Sequence, residues 1–583
     1  MILKYLRKVD WLLIVAAAVF IFVQVYFDLK IPDYMSSITT ILTTGGTSSE
    51  IMSEGWLMLG CALGSLLAAI ITGGICAYIA ASFAKTIREK QFDKVEQFSL
   101  NEINKFSTYS LITRSTNDIV QVQMAIAMGL QIIIKAPITA VWALHKILDK
   151  NLEWTLITAI AVVILVAVIA VIMYLVIPKF RMLQWLTDDV NRVSKENLDG
   201  MRVVRAYNAE GYQESKFETA NANLTDTGLY TVRVLSVLSP VMTIVMNGLS
   251  LAIYWVGSYI IMESMNPMVR IEEFSNMIVF SSYAMQVIMS FMMMIMIFMI
   301  IPRASVAAKR IEEVINTEPS ILDGDVTESN PEMKGTVEFR NVSFKYSDNS
   351  GDVLSNLNFE VKKGEVVAFI GSTGCGKSTL VNLIPRLYDV NEGQVLVDGV
   401  DVRDYRQDVL HEKIGYVPQK SILFSGTVES NVNYGGTSHS KTLDDVKRAV
   451  SIAQGKDFIE KMEGQYDAHV SEGGTNLSGG QKQRISIARA ICKNPEIYIF
   501  DDSFSALDYK TDRVLRKALR EETEGITTLI VAQRIGTVLD ADKIIVLEDG
   551  KIVGMGKHSE LLKTCPVYKD IALSQLSEEE LVQ

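Results

Sequence analysis

Between Trp11 and Phe27 the chain runs WLLIVAAAVFIFVQVYF without one charge. Such a run fits the hydrocarbon of a bilayer, which asks about 20 apolar residues of one helix. Five more apolar runs follow at about 56–83, 124–145, 154–177, 235–262 and 277–301. Lipid offers no partner to a bare peptide group, so runs of this length span as helices. The expectation is an all-α six-helix transmembrane domain over 1–316. A cleavable signal peptide is the rival reading, because Lys4, Arg7 and Lys8 precede the first run. No small-residue cleavage site follows before the Asp28 to Asp33 stretch, and further spans continue, which argues against it.

Basic residues give the orientation, since they are retained on the cytoplasmic face. The segment before the first run, the second connection (Lys85, Arg88, Lys90, Lys94, Lys105, Arg114) and the fourth (Lys179, Arg181, Arg192, Lys195, Arg202, Arg205, Lys216, Arg233) are rich in them. The other three connections offer only Lys30, Lys150 and Arg270. Both termini are then expected in the cytoplasm. The long inner connections are polar yet keep a helical period, as if the membrane helices continue into the cytosol as levers. Their turning points, about 101–110 and 207–214, are candidates to touch a soluble domain; an ordinary solvated loop is the alternative.

Two features inside the spans are candidates for a substrate cavity. Met285, Met289, Met292, Met296 and Met299 recur at spacings of four and three on one helical face, and methionine repacks around varied apolar ligands. Plain helix packing explains the same stripe. Lys135 falls near the middle of the third run, where an ionised amine is expensive without water or a partner; snorkelling to the interface is the alternative.

Net charge is −11, from 56 basic and 67 acidic residues with no basic cluster, which excludes the electrostatic footprint of a nucleic-acid binder. Five cysteines without a C-x-x-C pair suggest neither a disulfide framework nor a zinc site.

After Ile301 the apolar character ends. Residues 317–334 (TEPSILDGDVTESNPEMK) are acidic with two prolines and read as a linker. From Gly335 to 583 a cytosolic α/β domain is expected. There EVVAFIGSTGCGKSTLVNLI supplies a buried strand, a glycine-rich turn and a helix. The turn Gly371, Ser372, Thr373, Gly374, Cys375, Gly376, Lys377, Ser378, Thr379 meets every requirement of a phosphate-binding P-loop. Backbone amides wrap the phosphates of ATP, Lys377 reaches the β and γ groups, and Ser378 can ligate Mg²⁺. Asp501, closing the apolar run EIYIFDD, is placed to hold the same Mg²⁺. Between them stands Leu477-Ser478-Gly479-Gly480-Gln481, opening the helical pattern KQRISIARAI.

LSGGQ between a P-loop and a Walker B strand resembles the nucleotide-binding domain of an ABC transporter. Six spans fused in front of one such domain resemble a half-transporter of the bacterial ABC exporter type. The resemblance implies further roles by position: Tyr346 stacks on adenine, Gln419 senses the γ-phosphate and shares Mg²⁺, and Ser505 to Asp508 form the D-loop. Glu472 is the acid of the segment facing the membrane levers. It also implies that Ser478, Gly479, Gly480 and Gln481, with Ser505 and Asp508, contact ATP held by a facing domain, so that a second chain is needed.

Two positions depart from the family pattern. Asp502 stands where the general base is Glu, and Gln533 stands where the pattern has His. A carboxylate pulled back by about 1 Å can lose on the order of 10² in rate, and glutamine carries no positive charge. The chain thus resembles the subunit of a bacterial heterodimeric exporter whose own ATP site is degenerate. The expected partner is a second half-transporter with Glu and His at these positions, in the same cytoplasmic membrane. Expected cargo is a small amphipathic or hydrophobic compound of multidrug type; a lipid or peptide exporter, or a homodimeric or regulatory protein with slow hydrolysis, is the alternative.

Overall fold

The computed structural model describes residues 2–148, 152–347, 351–434, 441–505 and 507–576. Lys150, Ala506 and the side chains of Arg181 and Met299 lie outside the described residues. The chain divides into two compact units: 1–96 with 109–317, and 97–108 with 318–583.

The first unit is a helical bundle. Its helices are α1 (Lys8–Thr43), α2 (Ser48–Glu96), α4 (Thr108–Ser115), α5 (Asn117–Leu148), α6 (Leu152–Asp199), α7 (Met201–Ala206), α8 (Glu210–Ser236), α9 (Leu238–Glu263) and α10 (Pro267–Asn316); α3 (Leu100–Phe106) belongs to the second unit. Among the described residues six stretches are long and apolar enough to cross a membrane. The helices overrun the apolar runs that mark them. At about 1.5 Å per residue, the 48 residues of α6 reach about 72 Å, more than twice the roughly 30 Å of bilayer hydrocarbon. Hydropathy sees only the lipid-facing length; the polar ends stay helical because their backbone bonds are satisfied within the helix.

Helix α1 is the clearest case. Its uncharged run stops at Phe27, but the helix continues through Asp28, Lys30, Pro32 and Asp33 to Thr43. Ile21, Val25 and Leu29 of α1 enter one apolar core with Ile147, Trp154, Leu249, Ile253, Phe280, Tyr283, Val287 and Ile288. A second core joins Ile79, Phe83 and Ile87 of α2 to Ile119, Val122 and Ile126 of α5 and Ala307 and Ile311 of α10. Beyond it, Arg114 bonds Glu313 at 2.7 Å and the carbonyl of Arg310 at 2.9 Å, fastening the end of α10 to α4.

The second unit is α/β. A four-stranded antiparallel sheet has the order β2 (Leu354–Val361), β1 (Val337–Phe344), β4 (Glu392–Val397), β5 (Val400–Asp401). A six-stranded sheet has the order β12 (Lys551–Gly556), β11 (Lys543–Glu548), β3 (Val366–Gly371), β10 (Thr527–Val531), β9 (Ile497–Asp501), β6 (Ile414–Val417). A two-stranded piece pairs β7 (Gly426–Thr427) with β8 (His469–Val470). In the six-stranded sheet β11, β3, β10, β9 and β6 run parallel and only β12 is reversed. Their mostly apolar stretches, such as VVAFI of β3 and IIVL of β11, suit strands buried on both faces.

Residues 318–334, most of the stretch read as a linker, fall within the second unit and pack on it. Val326 bridges to Tyr405, Ile321 is buried, and Gly324 donates its amide to the Tyr405 carbonyl at 3.0 Å. Ser329 donates to buried Asp398, which Lys413 also reaches at 2.8 Å. One acid of the segment is engaged as well: Asp323 Oδ1 accepts from the Gln407 amide at 3.0 Å.

Candidate nucleotide site

Parallel strands deliver their carboxyl ends to one edge, and ligands of open α/β sheets sit outside that edge. Neighbouring strands β3, β10, β9 and β6 end respectively at the P-loop, just before Gln533, at Asp501–Asp502, and just before Gln419. Residues scattered over 371–533 are thereby set side by side.

The P-loop turns from β3 into α11 (Lys377–Leu383). Gly374 and Gly376 take φ +88° and +98°, which residues with a Cβ adopt reluctantly. A Cβ at Gly376 would also come within 2.6 Å of Leu354 Cδ2, so the tight approach needs glycine there. Lys377 is buried, and its Nζ donates to the carbonyls of Gly371 (2.9 Å) and Ser372 (2.7 Å). Ser378 Oγ donates to Asp501 Oδ1 at 2.8 Å. Thr379 Oγ1 shares a hydrogen bond with the Tyr346 hydroxyl at 2.8 Å. Tyr346 is 46% exposed and edge-on to Phe344 and Tyr388, leaving ring surface for stacking.

Asp502 carries the geometry that distinguishes this site. Its φ is +48°, a left-handed conformation in which Asp and Asn are enriched among residues with a Cβ. Its Oδ2 accepts from Gln533 Nε2 at 2.8 Å and Gln419 Nε2 at 3.3 Å. The two glutamines thus hold one carboxylate oxygen between them. Gln533 is itself anchored, its carbonyl accepting from Gln575 Nε2 at 2.8 Å. Burial raises both Asp501 and Asp502 above the ordinary carboxylate range; Ser378 opposes this at Asp501, and Gln419 at Asp502. A cavity of about 10 Å³, room for about one water, is lined by Asp502, Phe504, Ser505, Val531, Ala532, Gln533, Arg534 and Thr537.

The signature residues sit apart from this cluster. Ser478 caps the 15-residue helix Gly479–Lys493, accepting from the Gln481 amide at 3.4 Å, while Gln481 Oε1 accepts from the Ser478 amide at 2.8 Å. Ser478 and Gly479 are exposed and Gly480 and Gln481 half-buried, so the positive end of the helix dipole opens outward. Ser505 and Asp508 are exposed as well, Asp508 capping the helix Tyr509–Glu522 through the Thr511 amide at 2.9 Å. Glu472 is exposed in a single 3-10 turn, 472–474.

The first turning point gains partners that sequence reasoning did not name. Helix α3 lies within the soluble unit, with Leu100 against its core, Ser99 Oγ 2.9 Å from Ser320 Oγ and Asn104 Nδ2 3.5 Å from the Tyr388 hydroxyl. Since Tyr388 abuts Tyr346, a short chain of contacts joins α3 to the P-loop helix. The second turning point is a tight turn at Tyr207–Ala209, with Asn208 at φ +49° and Tyr207 and Tyr212 exposed. In the membrane unit, Met289 and Met296 are exposed and Met285 and Met292 half-buried. Lys135 pairs with Asp28 at 3.3 Å, a partner hidden from sequence because Asp28 looked like the end of its span.

Cys375 gives a prediction at once. It is 4% exposed, with Sγ 3.6 Å from Lys377 Nζ. A bulky maleimide cannot fit there without spreading the P-loop. Alkylation is expected to lower ATP binding at least tenfold, ATP to protect against it, and Cys375→Ala to be immune; nucleotide-binding titrations check this.

The ABC transporter family matches residues 354–505, and the ABC transporter transmembrane region matches 13–310. A relative described as an uncharacterized ABC transporter ATP-binding protein of Mycobacterium tuberculosis (strain ATCC 25618 / H37Rv) is 37% identical over 569 residues, 94% of this chain and 93% of that protein. The ATP-dependent lipid A-core flippase of Syntrophus aciditrophicus (strain SB) is 32% identical over 511 residues, 87% and 83% of the two chains. A bacterial Atm1-family ABC exporter solved with ATP bound shares the fold with a TM-score of 0.81, 24% identity and coverage of 97% and 98%. By its membrane region, its ATP-binding domain and relatives that match along almost their whole length, the chain belongs to the ABC transporters, which couple ATP hydrolysis to transport.

Proposed function

We propose that this chain is one half of a heterodimeric exporter of small amphipathic or hydrophobic compounds, and that its own P-loop holds ATP while hydrolysing it slowly. The observation that carries this reading is Asp502, one methylene short and held by the amides of Gln419 and Gln533, in a chain whose signature helix keeps Ser478 and Gly479 exposed to meet another chain. The damage is one-sided. Asp502 and Gln533 serve the ATP on Lys377; Ser478, Gly479, Gly480 and Gln481, with Ser505 and Asp508, serve the ATP of the partner, whose Glu and His complete the competent site.

The glycine turn and the oxygen donors of Ser378, Asp501 and Gln419 fit ATP with Mg²⁺, a cation usually held by one or two carboxylates plus phosphates; it would neutralise charge on the β- and γ-phosphates. Lys377 and the P-loop amides bind and orient the triphosphate. Asp502 would take the proton of an attacking water, but from further off than a glutamate. Closure of two such domains around ATP would move the long helices and turn the cavity outward, and hydrolysis at the partner's site would reset it. Lys- and Arg-rich connections support a cytoplasmic membrane location with both termini inside.

A lipid cargo is the second reading, favoured by the similarity to a lipid A-core flippase. Inside-out vesicles holding the pair should take up a fluorescent amphipathic cation with ATP and stop when the partner's Glu becomes Gln. Movement of a fluorescent lipid without dye uptake would select the second reading, and no movement of either would reject export.

A further inference from the structure

The membrane unit holds an ion pair that the nucleotide chemistry does not use. Lys135 of α5 lies 3.3 Å from Asp28 of α1, and Ser65 of α2 donates to the other Asp28 oxygen at 2.5 Å. Ser65 and Lys135 both fall inside the apolar runs of their helices, so this cluster sits at membrane depth. Charges there are costly and mark functional paths by default. The side chains are not sealed: Lys135 is 24% and Asp28 31% exposed.

Both helices also carry a proline close to the pair in sequence. Pro32 in α1 has no N–H for the carbonyl of Asp28, four residues earlier, and Pro137 in α5 has none for Ile133. Gln286 of α10 reaches the Asp28 carbonyl only at 3.4 Å. Among the described residues, Thr139 Oγ1, one turn beyond Lys135, and Thr72 Oγ1, two turns beyond Ser65, are buried without a hydrogen-bond partner, and unpaired buried hydroxyls call for an explanation.

We propose that Asp28, Lys135 and Ser65 form a head-group site for a zwitterionic amphiphile. The argument is charge balance. A molecule carrying both signs replaces the internal pair with two external ones, its anionic group on Lys135 and its ammonium on Asp28. A purely cationic or anionic head group satisfies one residue and leaves the other without a partner among apolar spans, where a lone charge is costly. The exposed Met289 and Met296 offer apolar surface on another part of α10 for the tail. This site rests on the reading of the chain as an exporter of amphipathic compounds and narrows its cargo.

The test uses the full chain with its partner in nanodiscs and three probes with the same sixteen-carbon tail: lysophosphatidylcholine, lysophosphatidic acid and hexadecyltrimethylammonium. Displacement of radiolabelled lysophosphatidylcholine should need at least tenfold more of either probe that carries charge of one sign only. Asp28→Asn should shift preference toward lysophosphatidic acid and Lys135→Gln toward the cation. The exchanged pair Asp28→Lys with Lys135→Asp should restore the zwitterion preference, which separates recognition from misfolding. An order of preference that is the same in all four proteins overturns the site. ATP-driven uptake of the three probes, measured alongside, keeps the readings apart: uptake without charge selectivity removes the site and leaves export, and selective binding without uptake does the reverse.

Discussion

Ser478→Arg in this chain, paired with a competent partner, lowers ATP turnover by about 10²-fold or more, while Lys377→Ala in the same chain costs much less. Ser478 caps an exposed helix start, and such a start offers amides and a dipole suited to phosphate oxygens. Loss of a preorganised donor to developing negative charge costs about 10²–10³ in rate. Arginine removes the hydroxyl cap and fills the space a facing phosphate would take. Under the one-sided account the affected ATP is the one that turns over, held by the partner. Lys377→Ala instead weakens ATP retention at the slow site and loosens closure without removing the chemistry. Steady-state phosphate release from the two variant pairs, checked for equal assembly by size exclusion, reads the difference. Equal losses would mean that both sites turn over.

Asp502→Glu is expected to act in the opposite direction, raising hydrolysis at the site on Lys377 by up to about 10²-fold. The longer side chain advances the carboxylate toward the water position. Two observations limit the gain. Asp502 occupies φ +48°, which suits aspartate better than glutamate, and Gln533 holds its carboxylate at 2.8 Å. The double change with Gln533→His should therefore exceed the single one, by restoring a switch residue able to carry positive charge. Measured with the partner's Glu changed to Gln, so that only this site can turn over, the rates isolate the effect. No rise in either variant would show that Asp502 and Gln533 do not limit hydrolysis at this site.

How much of this was legible from residues alone follows from the range of each signal. The P-loop, Asp501 and LSGGQ are local motifs whose backbone demands are written into neighbouring residues, Gly374 and Gly376 above all. The helical membrane domain was legible too, because lipid leaves a chain few options. Helix ends were not: the polar halves of α2 and α6 carry no hydropathic mark. Long-range pairings escaped for the same reason. Lys135 signalled that it needed a partner, but Asp28 lies more than 100 residues away and seemed to close its span. The docking of 318–334 depends on Asp398 and Lys413, which nothing nearby in sequence announces. Gln533 was legible as a substitution; its bond to Asp502 needed β9 and β10 side by side.

If catalysis belongs to the partner's site, as proposed, the ATPase rate of the purified chain alone, in nanodiscs, differs from that of the same chain assembled with its partner half-transporter. Near-zero turnover alone and robust turnover in the pair is the predicted result. Comparable turnover by the chain alone would show that Asp502 suffices as a base, and would contradict the asymmetric account.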